Sequence, residues 1–194
     1  MAFITRYWKS TLRLGLAALL ALLSTTAAAG SIEPVRASLT PGDDGYTLSA
    51  EFAVDLGSRL EEAVSRGVAL TFNLEFTLSR KRWYWIDEHV AGHMLQYRLS
   101  YNALTRQYRL SVGSMHQSFA SLEEALHVLG RLAALPVVAG SMVQPGETYT
   151  AALRLSMDKS QLPKPFQVDA IANPDWLVEA KVLRWQFNPG SEAK

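Results

Sequence analysis

The 194-residue chain contains no cysteine. No disulfide can staple it, no thiolate can attack a substrate, and no thiolate-bound metal can form. Histidine is scarce too, with four residues, so imidazole chemistry has few places to sit. Phosphate cradles are missing, since neither G-x-x-x-x-G-K nor G-x-G-x-x-G occurs. There is no G-x-S-x-G elbow, because Gly113-Ser114 and Gly140-Ser141 lack the flanking glycine. The net charge of +1 exerts no long-range pull on nucleic acid. No repeat, low-complexity run or linker divides the chain.

What charge there is falls unevenly. Arg6, Lys9 and Arg13 sit in an opening segment without acids, and the remainder is slightly acidic. Behind them, LGLAALLALL (14–23) is too short for a comfortable membrane span, which takes about 20 residues. AAAG (27–30) then offers small residues to a signal peptidase, with cleavage after Ala29. Residues 1–29 therefore read as a cleaved signal peptide, and an uncleaved anchor is the alternative. The expected location is the periplasm or cell envelope of a Gram-negative bacterium, with transient membrane contact through this segment only. Residues 30–194 are long enough to bury one core as a single domain.

Three stretches alternate with the pleat of a half-buried strand. Tyr46, Leu48, Ala50, Phe52, Val54 and Leu56 share one face, as do Val68, Leu70, Phe72, Leu74, Phe76 and Leu78. Tyr149, Ala151, Leu153, Leu155 and Met157 form the third set. YRLSYNALTRQYRLSV (97–112) reads as a hairpin with one apolar face. Strands greasy on one side need a second layer, so the expected fold is all-β: a mainly antiparallel, immunoglobulin-like β-sandwich with two short helices.

Both helices open on S-x-x-E, at Ser58 and Ser121, the signature of a reciprocal cap. The first is expected to stop at Gly67. The second should carry Leu122, Ala125, Leu126, Leu129, Leu132 and Ala133 on one stripe as far as Pro136, forming a lid on the sandwich. Beyond it, Pro163, Pro165 and Pro174 leave only Trp176–Phe187 long enough for a strand, with an alternation that suits cover on both sides.

The stretch RKRWYWIDE (80–88) offers the likeliest contact surface by chemistry: Arg80 and Arg82 for anionic groups, Trp83 and Trp85 as a stacking platform. Read as a strand, it could instead turn both tryptophans into the core and leave a solvated basic edge. His89 and His93, with His116 approaching from elsewhere, make the alternative of a metal-dependent hydrolase. Gly92 argues that the first two lie in a loop, and H-E-x-x-H lacks its glutamate here.

RxRWYWxDE, LSYNALTRQYRLS, a capped helix with EAL, LRLSMD, LPKPF and the closing RWQF run in order across residues 32–187. In this the chain resembles the exported proteobacterial family known as domain of unknown function 4390. The resemblance implies an exported domain with no assigned activity or catalytic residue, and genes often found beside sensor kinases of the nitrogen-regulation type. The expected function is a non-enzymatic envelope domain, without cofactor, that binds an envelope protein or component.

Overall fold

The structure is a computed structural model that describes residues 30–82, 87–173, 176 and 178–190. Residues 1–29, expected from sequence to be a signal peptide or anchor, and Trp83 and Trp85 lie outside those residues. Among the described residues, no helix is long and apolar enough to cross a membrane.

Two sheets face each other. The smaller holds β1 (Gly30–Pro41), β2 (Gly45–Asp55), β7 (Arg131–Ala139) and β9 (Val178–Ala180) in the order β7-β2-β1-β9. The larger holds β3 (Leu70–Arg80), β4 (Glu88–Asn102), β5 (Gln107–Val112), β6 (Met115–Phe119), β8 (Tyr149–Met157) and β10 (Leu183–Phe187) in the order β10-β8-β3-β4-β5-β6. The three alternating stretches become β2, β3 and β8, with the expected sides inward. Leu48, Ala50 and Phe52 from one sheet meet Phe72, Phe76, Leu153 and Leu155 from the other in a single buried cluster. Each leucine or phenylalanine among them contributes about 1.5–3 kcal/mol on burial, which is how a cysteine-free chain holds two layers together.

The expected tyrosine hairpin forms, with Leu99 opposite Leu110 and Tyr101 opposite Tyr108. Asn102 sets its turn by accepting the Leu104 N–H at 3.0 Å. Strands β5 and β6 are joined by two residues, with Gly113 at φ +56 supplying the backbone conformation that a tight hairpin needs.

Chain crossings close both flanks. On one, β6 at the edge of the larger sheet feeds α2 (Leu122–Leu129), which hands over to β7 at the edge of the smaller. Its apolar stripe, Ala125, Leu126 and Leu129, is buried in that gap. On the other, β9 ends the smaller sheet and β10 begins the larger.

Three expectations need correction. First, α2 stops at Leu129, not Pro136, and Leu132 and Ala133 belong to β7. Gly130 ends the helix because its backbone lies hard against β2: the Phe52 N–H donates to the Gly130 carbonyl at 2.8 Å, and a Cβ there would come within 2.4 Å of the Phe52 oxygen. Pro136 sits on an edge strand, where its missing N–H is tolerated. Second, only Ser121 caps as expected, accepting the Glu124 N–H at 3.2 Å while Glu124 reaches back to the Ala120 N–H. Helix α1 (Gly57–Ser65) begins earlier, and Asp55 accepts its first N–H, from Gly57, at 2.8 Å. Its end is as read: Gly67 at φ +93 and Val68 fold back onto Val64 and Ala63.

Third, the tail contains a third helix, α3 (Lys164–Ala172), with Pro165 in its first turn, where proline is tolerated. The stretch expected to form one strand is two, β9 and β10, in different sheets. Its irregular alternation marks the crossing between layers rather than cover on both faces.

Candidate functional site at the β3–β4 hairpin

RKRWYWIDE does not form the continuous strand considered from sequence. Strand β3 ends at Arg80 and β4 begins at Glu88, so residues 81–87 connect the two arms of a hairpin. Arg80 pairs in register with Glu88 on one side and with Tyr149 on the other. It keeps the inward parity of β3 at the open end of the sandwich, and a carboxylate meets it there.

That carboxylate binds two cations through one oxygen. Arg80 donates to Glu88 Oε2 from Nε at 3.0 Å and from Nη2 at 2.6 Å. Arg82 donates to the same atom from Nε at 3.2 Å and lies within 2.8 Å through Nη2. The basic residues are therefore not a free solvated edge but part of a clamp across the hairpin base. Hydrogen bonding from Arg80, then from Arg82, holds the Glu88 carboxyl below its ordinary value, and Glu88 in turn raises Arg80. An acid so firmly ionised is a poor proton shuttle and a good tether. The two guanidinium groups outnumber their single partner, and their remaining N–H groups can still meet an anionic acceptor.

The histidines are not brought together. His89 and His93 lie within β4, not in a loop. A bulge at Val90 places Ala91 opposite Leu78 but His89 opposite Ser79. His93 consequently sits opposite the buried Phe76 on the inner face, and His89 is turned to the outer face. Gly92, which suggested a loop, instead makes room: a Cβ there would lie 3.0 Å from the His89 ring. His116 is exposed on β6, two strands from β4. Among the described residues, no three His, Asp or Glu side chains are grouped to hold a metal. His127, on the exposed side of α2, is where its helical phase puts it.

Two of the four residues expected from sequence to form a contact surface, Arg80 and Arg82, are among the described residues. Arg80 and Arg82 converge on Glu88, while Trp83 and Trp85 fall in the span outside the described residues. Glu88 is the member that sequence reading did not single out. The spacing of Arg80 and Glu88 about a short polar-aromatic insert was the available signal.

The family described as "Domain of unknown function (DUF4390)" matches residues 29–186. The chain belongs to that family. Its DUF4390 span takes in every described strand except the last residue of β10, Phe187, and includes the Arg–Glu clamp and the tyrosine hairpin. No curated protein and no solved structure matches the chain.

Proposed function

We propose that this DUF4390 chain is a non-enzymatic domain of the bacterial cell envelope, delivered there by its leader, that binds a partner through the β3–β4 hairpin. The observation that carries the reading is the double arginine clamp on Glu88. It pins together the two ends of a seven-residue connection, 81–87, whose sequence is K-R-W-Y-W-I-D. A connection rich in aromatics and cations, tied at its base to two long strands, suits recognition of an envelope protein or an anionic envelope component. The sensor kinases associated with such genes supply the first partner to try.

The metal-hydrolase reading draws less support, because the bulge at Val90 separates His89 from His93 and β6 holds His116 apart. The test uses intact cells. A Trp83→Ala, Trp85→Ala double variant should lose its cross-link to the envelope partner while keeping its melting temperature. A collapsed melting temperature would assign the rings to the core instead. Zinc in stoichiometric amount that disappears in His89→Ala would revive the hydrolase. For location, mass spectrometry of the periplasmic fraction should find a chain beginning at Gly30.

A further inference from the structure

Trp176 is almost wholly buried, at 3% exposure, yet its indole Nε1 has no hydrogen-bond partner. An unmet donor sealed from water costs about 1–3 kcal/mol, so native folds seldom leave one without a reason. Trp176 lines a groove of about 230 Å³ together with Arg59, Glu62, Ala63, Arg66, Val68 and Phe166.

The lining has a definite chemistry. Phe166 and Trp176 pack with ring centroids 5.3 Å apart, and Ala63 and Val68 are buried, so part of the wall is apolar. Arg66 and Glu62 neutralise one another at 2.6 Å. Arg59 lies over the Trp176 ring, 5.9 Å from its centroid, and among the described residues no carboxylate pairs with it. The groove therefore offers two uncommitted donors, the indole N–H and a guanidinium, beside a flat hydrophobic surface. Glu62, the carboxylate among its described lining residues, is already engaged.

We propose that this groove binds a carboxylate carried on a compact apolar body, with Arg59 and Trp176 Nε1 donating to the carboxylate and the body lying on Phe166 and Trp176. Its volume falls below the roughly 300–1,000 Å³ typical of drug-sized ligands, which limits the bound part to a small acid or the end of a longer one. The charge on Arg59 selects the anion, and the indole fixes its orientation. Val68 leads into the start of β3, whereas Arg80 ends it, so about 30 Å of strand separates groove and hairpin. The inference is independent of the hairpin reading.

The test follows the indole N–H of Trp176 by ¹⁵N NMR in the folded domain, with the signal assigned by its loss in Trp176→Phe or by through-bond correlation. Phenylacetate is titrated against its neutral amide, phenylacetamide. A saturable shift of that one signal with phenylacetate, and affinity about tenfold or more lower for the amide and in Arg59→Gln, supports the site. Equal response to acid and amide overturns it, as does an unchanged response in Arg59→Gln. A signal that phenylacetate does not move also overturns it, leaving an indole donor buried without a partner.

Discussion

Phe187 meets Tyr46 edge to face, ring centroids 4.8 Å apart and planes inclined at 79°. The first ends β10 in the larger sheet and the second opens β2 in the smaller, so the contact joins the layers at one end of the core. Phe187 also leans on Tyr149, at 6.4 Å, whose hydroxyl accepts the Gln144 N–H at 2.9 Å. Replacing Phe187 with alanine opens a cavity against both rings. The expected loss is about 3–5 kcal/mol, read as a lower urea midpoint with an unchanged slope.

The two S-x-x-E motifs should behave differently. Ser121→Ala removes the acceptor for the Glu124 N–H and should cost about 1 kcal/mol. Ser58 is exposed within α1 and its hydroxyl caps nothing, so Ser58→Ala should stay within about 0.5 kcal/mol of the parent. Thermal unfolding of the pair decides it; equal losses would show that Ser58 caps after all.

Gly130→Ala places a methyl group inside the Phe52 carbonyl. The added atom must push α2 away from β2 or break the Phe52–Gly130 hydrogen bond. A loss of about 1–3 kcal/mol is expected in chemical denaturation, with amide exchange accelerating first at Phe52.

The clamp carries a pH signature. Glu88 is held below its ordinary value of 4.5, so its contribution is present above that value and lost as pH falls through the lower, folded one. Glu88→Gln should melt below the parent at neutral pH, and the two curves should converge in acid. Curves that stay parallel throughout would show that the arginines do not depend on this carboxylate.

What the sequence revealed follows from the range of each signal. Alternation in β2, β3 and β8 is a local consequence of one buried face, and it specified the inward residues of all three. The end of α2 depends instead on a contact between Gly130 and Phe52, 78 positions apart, and the stripe through Leu132 and Ala133 carried no trace of it. The tail misled for a related reason: Val178 and Phe187 are both buried, but they belong to different sheets. At the site, residue types indicated anion and aromatic chemistry, while one extra residue at Val90 decided which way His89 faces. A bulge has no composition of its own, so only the paired strands disclose it. Trp176 escaped notice because a missing partner is a property of surroundings, not of sequence.

Strand β1 runs parallel to β9, with Gly30 opposite Val178 and Ile32 opposite Ala180. The opening residues of the domain are thus clasped by nearly the closing ones, a pairing of very long sequence separation that slows acquisition of structure. A nascent chain emerging head first has no partner for that flank of β1 until its tail arrives.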